Sequence, residues 1–224
     1  MAAPVLLIGT GTSVGKTHLA ERLLRAFGAE GLRAYGYKPI ESGVADLEAT
    51  DIARLARASS FHVKQEPLRN VFRAPISPHL AARAEGRTID LAAIRSEITR
   101  LAQLVEALLV ELPGGAFSPL TGDILVAEFA RSVRAARVVL VAPDRLGVLH
   151  DVGAATRACA SVGLPLHGVV LNAPEVSDAS TGRNAAELPL VTRAPLLAEI
   201  PRGPSDAPVE AGDPALALAR ALSR

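Results

Sequence analysis

Short, mostly apolar runs alternate along the chain with longer stretches of helical periodicity. The runs are PVLLIG (4–9), RAYGYKP (33–39), ALLVEL (107–112), ARVVLVAP (136–143) and LHGVVLN (166–172). Apolar residues on both faces suit strands buried in a parallel sheet. Between them, residues 15–31, 46–59, 88–109 and 146–163 carry apolar side chains at the three- and four-residue spacing of amphipathic helices. Gly31 and Gly163 fall where such helices end, because glycine takes the left-handed conformation that closes a C-terminal turn. The alternation predicts one α/β domain over residues 1–224, a mainly parallel sheet with helices on both faces and ligands gathered at the carboxyl ends of the strands. Residues 204–214 read as loop, followed by a short final helix.

Composition narrows the class. With 49% hydrophobic residues, 224 residues suffice for one sizeable core. Basic and acidic residues number 24 and 23 and are interspersed, so no charge pattern points to nucleic acid or an anionic membrane, and small-molecule partners are expected. The longest apolar runs fall well short of the roughly 20 residues that span a bilayer. Cys159 is the only cysteine, and MAAPVLLIGT carries neither the basic start nor the apolar length of a secretory signal, so a cytoplasmic setting is expected. Only Lys16, Lys38 and Lys64 are lysines among the 24 basic residues. Each therefore invites the question of what arginine could not do there.

The segment IGTGTSVGKTHL (8–19) follows an apolar run and opens a helical one. A dinucleotide-binding turn needs G-x-G-x-x-G and an acid about 20 positions on. Here the glycines are spaced G-x-G-x-x-x-G, and the next strand runs into Lys38-Pro39. Gly15-Lys16-Thr17 instead supplies a glycine for close backbone approach, an ammonium for outer phosphates and a hydroxyl for Mg²⁺, at a helix N-terminus that attracts anions. The segment reads as a nucleoside triphosphate loop, with Thr10 where its usual first glycine would stand.

A second lysine and two acids add to this, Lys38 at the same edge of the predicted sheet as the loop. Lys38 ends the second strand before Pro39 and Gly43, residues suited to a tight turn. An ammonium there could neutralise charge beside a γ-phosphate as a point charge, which arginine's planar fork would not replace. Glu111 stands toward the end of an apolar strand, the pattern of an acid delivered to Mg²⁺, and Asp51 opens a helix, where an acid also complements the helix dipole.

Taken in order, GTGTSVGKT, GYKPIESG, TDIARLA, APISPHLAARAEGRTID, LLVELPGGAFSPL, RLGVLHD, GVVLN and APLLAEIPRG resemble the motifs of the dethiobiotin synthetases, from residue 5 to about 203. The resemblance implies a single P-loop α/β domain acting as a homodimer, with sites near the subunit interface. It implies ATP- and Mg²⁺-dependent closure of 7,8-diaminononanoate with CO₂ to dethiobiotin, through a carbamate and its anhydride with phosphate. Lys16 would hold the phosphates, Thr17, Asp51 and Glu111 would hold Mg²⁺, Lys38 would contact the carbamate and Ser42 the substrate. The backbone from Gly11 through Thr12, Ser13 and Val14 to Gly15 would cradle the phosphates, and Asn172 would meet adenine, with Pro195 and Leu196 beside it. Leu149 and His150 would stand near the substrate tail, while Ser77 and His79 are candidates near the site, Ser77 equally a helix N-cap.

The chain departs from the family pattern at three places. Gly11 replaces an aspartate, Leu112-Pro113 replaces two small residues beside which substrate would pass, and His150 replaces an asparagine. These leave room for an ATP-dependent ligase acting on another amine or carboxylate. The same loop also occurs in nucleotide-switch ATPases that bind protein partners. Such switches carry an extra lysine early in the loop, where this chain has Thr10, Gly11, Thr12 and Ser13.

Overall fold

A computed structural model describes residues 2–63 and 70–223, so Lys64 lies outside the described residues. Six strands, β1 (Val5–Gly9), β2 (Ala34–Tyr37), β5 (Ala107–Gly115), β6 (Arg137–Pro143), β7 (Gly168–Asn172) and β8 (Leu196–Ile200), form one sheet in the order β2-β5-β1-β6-β7-β8. Every neighbouring pair in it is parallel. A second, two-stranded piece pairs β3 (Glu41–Ser42) with β4 (Val71–Phe72).

Strand alternation divides the apolar side chains between two cores. Val5 and Leu7 of β1, Leu109 of β5 and Val139 and Val141 of β6 pack with α1 (Lys16–Ala29), α2 (Asp51–Ala58) and α8 (Pro214–Ser223). Leu6, Ile8, Leu108, Val110, Leu112, Val138 and Leu140 face the other way, onto α3 (Pro78–Ala84), α4 (Leu91–Leu104), α5 (Val126–Ser132) and α6 (Val148–Ser161). A short α7 (Asn184–Glu187) precedes β8. The expected helices on both faces are therefore present, as is the final helix after the 204–214 loop. Gly31 and Gly163 take positive φ, 78° and 67°, just beyond α1 and α6.

Three boundaries differ from expectation, each for a physical reason. The helix predicted over 88–109 stops at Leu104, because Val105 is already extended (φ −124°, ψ 165°) and Ala107 pairs with Ala34 of β2. Strand β5 runs on past Leu112 to Gly115. The 46–59 segment splits at Thr50, which is extended and accepts a hydrogen bond from the Ala53 N–H, making Asp51 the first residue of α2.

The strand order positions the site. From β1 the chain crosses to β2 and returns to fill the gap with β5, then crosses again to β6 on the far side of β1. The loop leaving β1 therefore lies where the winding reverses, the crevice in which open parallel sheets bind ligands.

Candidate active site

Between β1 and α1 the loop folds back on itself tightly. A Cβ on Gly9 would lie 2.6 Å from the Gly11 carbonyl oxygen and 2.8 Å from Lys16 Nζ. Gly15 has φ 86°, and a Cβ there would lie 2.5 Å from Asn172 Nδ2. Thr12 and Ser13 are exposed and Val14 is buried in the core, so the loop is anchored at Val14 and open at its tip. Gly11 has open space around it, with only Val14 Cγ1 within 4 Å of a Cβ built there.

Lys16 is buried and donates to the carbonyls of Gly11 and Gly114, 2.9 Å each. Burial pushes its pKa down to about 8, an effect that Glu111 opposes and neighbouring Lys38 reinforces. The Gly114 carbonyl reaches it through an irregularity in β5. Leu7 pairs with Glu111 but Gly9 with Gly115, so the partner strand holds extra residues at 112–114, and Gly114 has φ 63°. Proline and a left-handed glycine suit such a kink, since neither position has to continue the ladder.

That kink answers the departure at Leu112-Pro113. Leu112 is fully buried and packs into the α3–α6 core, on the face opposite Glu111 and α1. Its side chain points away from Lys16, Lys38 and Glu111.

Lys38, just past β2, is drawn between two carboxylates, 2.5 Å from Asp51 Oδ2 and 2.7 Å from Glu111 Oε1. Burial works against its charge, but Glu111 and Asp51 outweigh it and hold its pKa above the ordinary lysine value. Burial likewise opposes the Asp51 charge, and the bonds from Lys38 and Thr17 more than offset it, lowering its pKa. The Thr17 hydroxyl donates to Glu111 Oε1 at 3.0 Å. The hydroxyl and both carboxylates thus meet around one point. Glu111 Oε2 is buried and has no hydrogen-bond partner among the described residues. Among those residues no group of three His, Cys, Asp or Glu forms a closed metal cage. An open set of hard oxygens with an unused carboxylate oxygen suits Mg²⁺, which keeps positions for phosphate and water.

Asn172 ends β7 and is buried, its Nδ2 donating to the carbonyls of Val14 and Gly15 at 3.0 Å each. Its Oδ1 is buried without a partner, free to accept from an exocyclic amine. Pro195 and Leu196 do not accompany it. Parallel pairing sets Leu196 beside Val169 near the start of β7, whereas Asn172 pairs with Ile200. Those two residues therefore lie toward the amino ends of the strands, away from the loop, and Pro201 follows Ile200 just past the pairing with Asn172. The Pro201 backbone also faces His18 on α1, where its influence opposes the burial that lowers the imidazole pKa.

Ser42 is half-buried in β3, on the turn that leaves Lys38. Ser77 is the N-cap of α3 but makes no side-chain cap bond, and the half-buried His79 has an unpartnered Nδ1. Leu149 packs against the core from α6, while His150 is exposed at that helix's first turn beside Leu146, 75% exposed. Within one chain neither Leu149 nor His150 joins the Lys16–Lys38 cluster in any hydrogen bond or ion pair among the described residues.

Glu41 lies in the GYKPIESG segment without a role of its own there, yet it fixes Asp51. Its carboxylate accepts from the backbone N–H groups of Asp51 (2.8 Å) and Ile52 (3.1 Å), capping α2 from a neighbouring strand. Only the reverse of the chain after Lys38 brings the two together, held by Asn70, whose carbonyl accepts from Glu41 N–H and whose Nδ2 donates to the Pro39 carbonyl.

Comparison with known proteins agrees with this geometry. A family model described as an AAA domain matches residues 4–208. The ATP-dependent dethiobiotin synthetase BioD of Anaeromyxobacter dehalogenans (strain 2CP-C) is 39% identical over 206 residues, covering 89% of this chain and 90% of that protein. The ATP-dependent dethiobiotin synthetase BioD 1 of Salmonella typhi is 34% identical over 206 residues, 90% of each chain. Among solved structures, the cell division ATPase MinD of Pyrococcus furiosus superposes with TM-score 0.61 at 20% identity, over 99% of this chain and 98% of that one. At that identity the likeness speaks to the fold alone. With its loop lysine, paired acids and second lysine arranged as described, and with relatives this similar along nearly its whole length, the chain belongs to the ATP-dependent dethiobiotin synthetase family.

Proposed function

We propose that this protein is a ligase that converts 7,8-diaminononanoate, CO₂ and ATP into dethiobiotin, ADP and phosphate, a step of biotin synthesis. The observation that carries the reading is the meeting of Lys16, Thr17, Lys38, Asp51 and Glu111 at the carboxyl ends of β1, β2 and β5. Two ammonium groups beside two acids and a hydroxyl suit a reaction in which an anion must be brought to a triphosphate.

One amine of the diamine takes up CO₂ as a carbamate. Lys38, buried and held cationic, is placed to receive that anion and to offset its charge beside the γ-phosphate. A carbamate oxygen attacks the γ-phosphorus and ADP leaves. The neighbouring amine then attacks the carbonyl carbon of the mixed anhydride, the carbon–oxygen bond to phosphate breaks, and the amine proton passes to solvent. Phosphorylation is needed because oxide is a poor leaving group from a carbamate and phosphate is a good one. Positioning and charge neutralisation carry most of the catalysis in phosphoryl transfer. Lys16 grips the outer phosphates, the Gly11–Gly15 backbone, with Thr12, Ser13 and Val14, lines them, and Asn172 Oδ1 accepts from the adenine amine. Thr17, Asp51 and Glu111 would hold Mg²⁺, which supplies charge neutralisation at the phosphates. Ser42 would meet the substrate near the carbamate. In a homodimer, Leu149 and His150 of one subunit would border the diamine's carboxylate tail in the other.

The test is phosphate release from ATP with diamine and bicarbonate supplied separately and together. Release that needs both supports the ligase. Release at the same rate with neither would place the protein among simple ATPases.

A further inference from the structure

The Asp51 carboxylate is held at both oxygens. Oδ2 meets Lys38 at 2.5 Å, and Oδ1 meets Arg54 Nη1 at 3.1 Å. The same guanidinium is locked by Glu21 of α1, with Nη2 to Oε2 at 2.6 Å and Nε to Oε1 at 3.3 Å. Glu21 lies four residues after Thr17, on the same face of α1, and Arg54 three residues after Asp51 on α2. The ion pair therefore joins the two helices directly behind the hydroxyl and the acid.

Stability alone is a weak reason for this arrangement. The Glu21 side chain is 8% exposed and Arg54 37% exposed, and a pair so placed contributes little net free energy because desolvation offsets attraction. Geometry is the stronger reason. Only a planar fork can grip both Glu21 oxygens and still present a third N–H to Asp51, which a lysine's point charge cannot do.

We propose that Arg54, fixed by Glu21, is a positioning residue that orients the Asp51 carboxylate for the divalent metal. The inference rests on the reading of Asp51 as a metal-holding acid. In the proposed reaction Lys38 turns to the carbamate and releases Oδ2, leaving Asp51 free to rotate about its side-chain torsions. Glu41 fixes only its backbone N–H. With the Thr17 hydroxyl itself turned to the metal, Arg54 is the side-chain partner of Asp51 that keeps the acid aimed at Thr17 and Glu111.

The measurement is Mn²⁺ binding to the enzyme–ADP complex, read from the free Mn²⁺ signal in electron paramagnetic resonance, for wild type, R54A, R54K, E21Q, D51N and the R54A/D51N pair. Partners of this outer kind typically change metal affinity by about 10–100-fold. R54A and E21Q are expected to raise the Mn²⁺ Kd within that range, with ADP affinity in metal-free buffer unchanged. R54K should recover only part of the loss, and the double variant should bind Mn²⁺ no worse than D51N, since Arg54 acts through Asp51. A merely structural role would lower melting temperatures and leave the Mn²⁺ Kd alone. Should R54A fold poorly, E21Q and R54K give the same reading. If D51N weakens Mn²⁺ binding while R54A, or failing it E21Q, does not, the positioning role is overturned. If D51N leaves Mn²⁺ binding unchanged, Asp51 is not a metal ligand and the underlying reading fails instead.

Discussion

Lys16 and Lys38 use the compactness of an ammonium in different ways. Lys16 sits under carbonyls of two segments at once, with burial pushing it down to about 8, so an arriving anion would further stabilise its charged form. Lys38 is instead kept cationic by two acids. Loss of Lys16 is expected to lower kcat by about a hundred- to a thousandfold, the usual cost of removing one preorganised donor in charge stabilisation. K16A measured by dethiobiotin formation checks this, and activity within a few-fold of wild type would remove Lys16 from the phosphate site. Gly15 tests the loop separately. G15A combines a left-handed φ with a Cβ driven into the Asn172 amide, so nucleotide binding should fall, with a stability loss on the order of 1–3 kcal/mol. An unchanged ATP Kd in calorimetry would contradict this. At this scale the sequence was legible where chemistry and position coincide, as at Lys16, Thr17, Lys38 and Glu111, which the structure brings together, whereas Asp51 joined them only through the ordered motifs. It was not legible at Glu41, Glu21 and Arg54, whose ordinary residue types acquire meaning only when folding brings distant segments into contact. Pro195 and Leu196 failed for another reason, because a motif read without a strand register does not reveal which end of a strand a proline occupies.

Elements buried on both faces announced themselves as apolar runs, which is why β1, β5, β6 and β7 stand close to where the pattern put them. Strand β8 had no such run. Leu196 to Glu199 are exposed or half-buried and only Ile200 is buried, as expected of an edge strand. The 112–114 irregularity was equally silent, since Leu112-Pro113 looked like an obstacle until alternation turned Leu112 into the core. Strand β2 offers a clean test of close element packing. A Cβ on Gly36 would lie 2.6 Å from Leu24 Cδ1 and 3.0 Å from Leu55 Cβ, pressing β2 against α1 and α2, which share that face. G36A is therefore expected to lose about 1–3 kcal/mol in denaturant unfolding, through overpacking. No change in the midpoint would mean that the helices move apart freely, and with them Lys38 and Asp51.

Across the molecule, the two cores share one sheet, and a strap over the α1–α2–α8 face ties the last helix to the first. Buried Arg22 of α1 pairs with Asp213 and donates to the Ala207 carbonyl at 2.7 Å, while Arg220 of α8 grips Glu30 at the end of α1. D213A leaves a buried guanidinium with only part of its partners and is expected to destabilise by on the order of 3 kcal/mol in thermal or denaturant melts. Cys159 sets a pH dependence on the other core. Burial pushes its thiol from 9.0 to about 11, so between those values the folded state keeps a proton the unfolded chain has lost. Stability should therefore fall as pH rises from about 9 to 11, by up to roughly 1.4 kcal/mol per unit, and C159A should flatten that slope.

The catalytic claim is most directly tested by following oxygen. In a single turnover with ¹⁸O-labelled bicarbonate, diaminononanoate and unlabelled ATP, quenched before the label exchanges with water, each ring closed should deliver one ¹⁸O atom to inorganic phosphate. Phosphate free of ¹⁸O while dethiobiotin forms would mean that no carbamate oxygen attacks the γ-phosphorus, and would contradict the role given to Lys38 and the site it shares with Lys16.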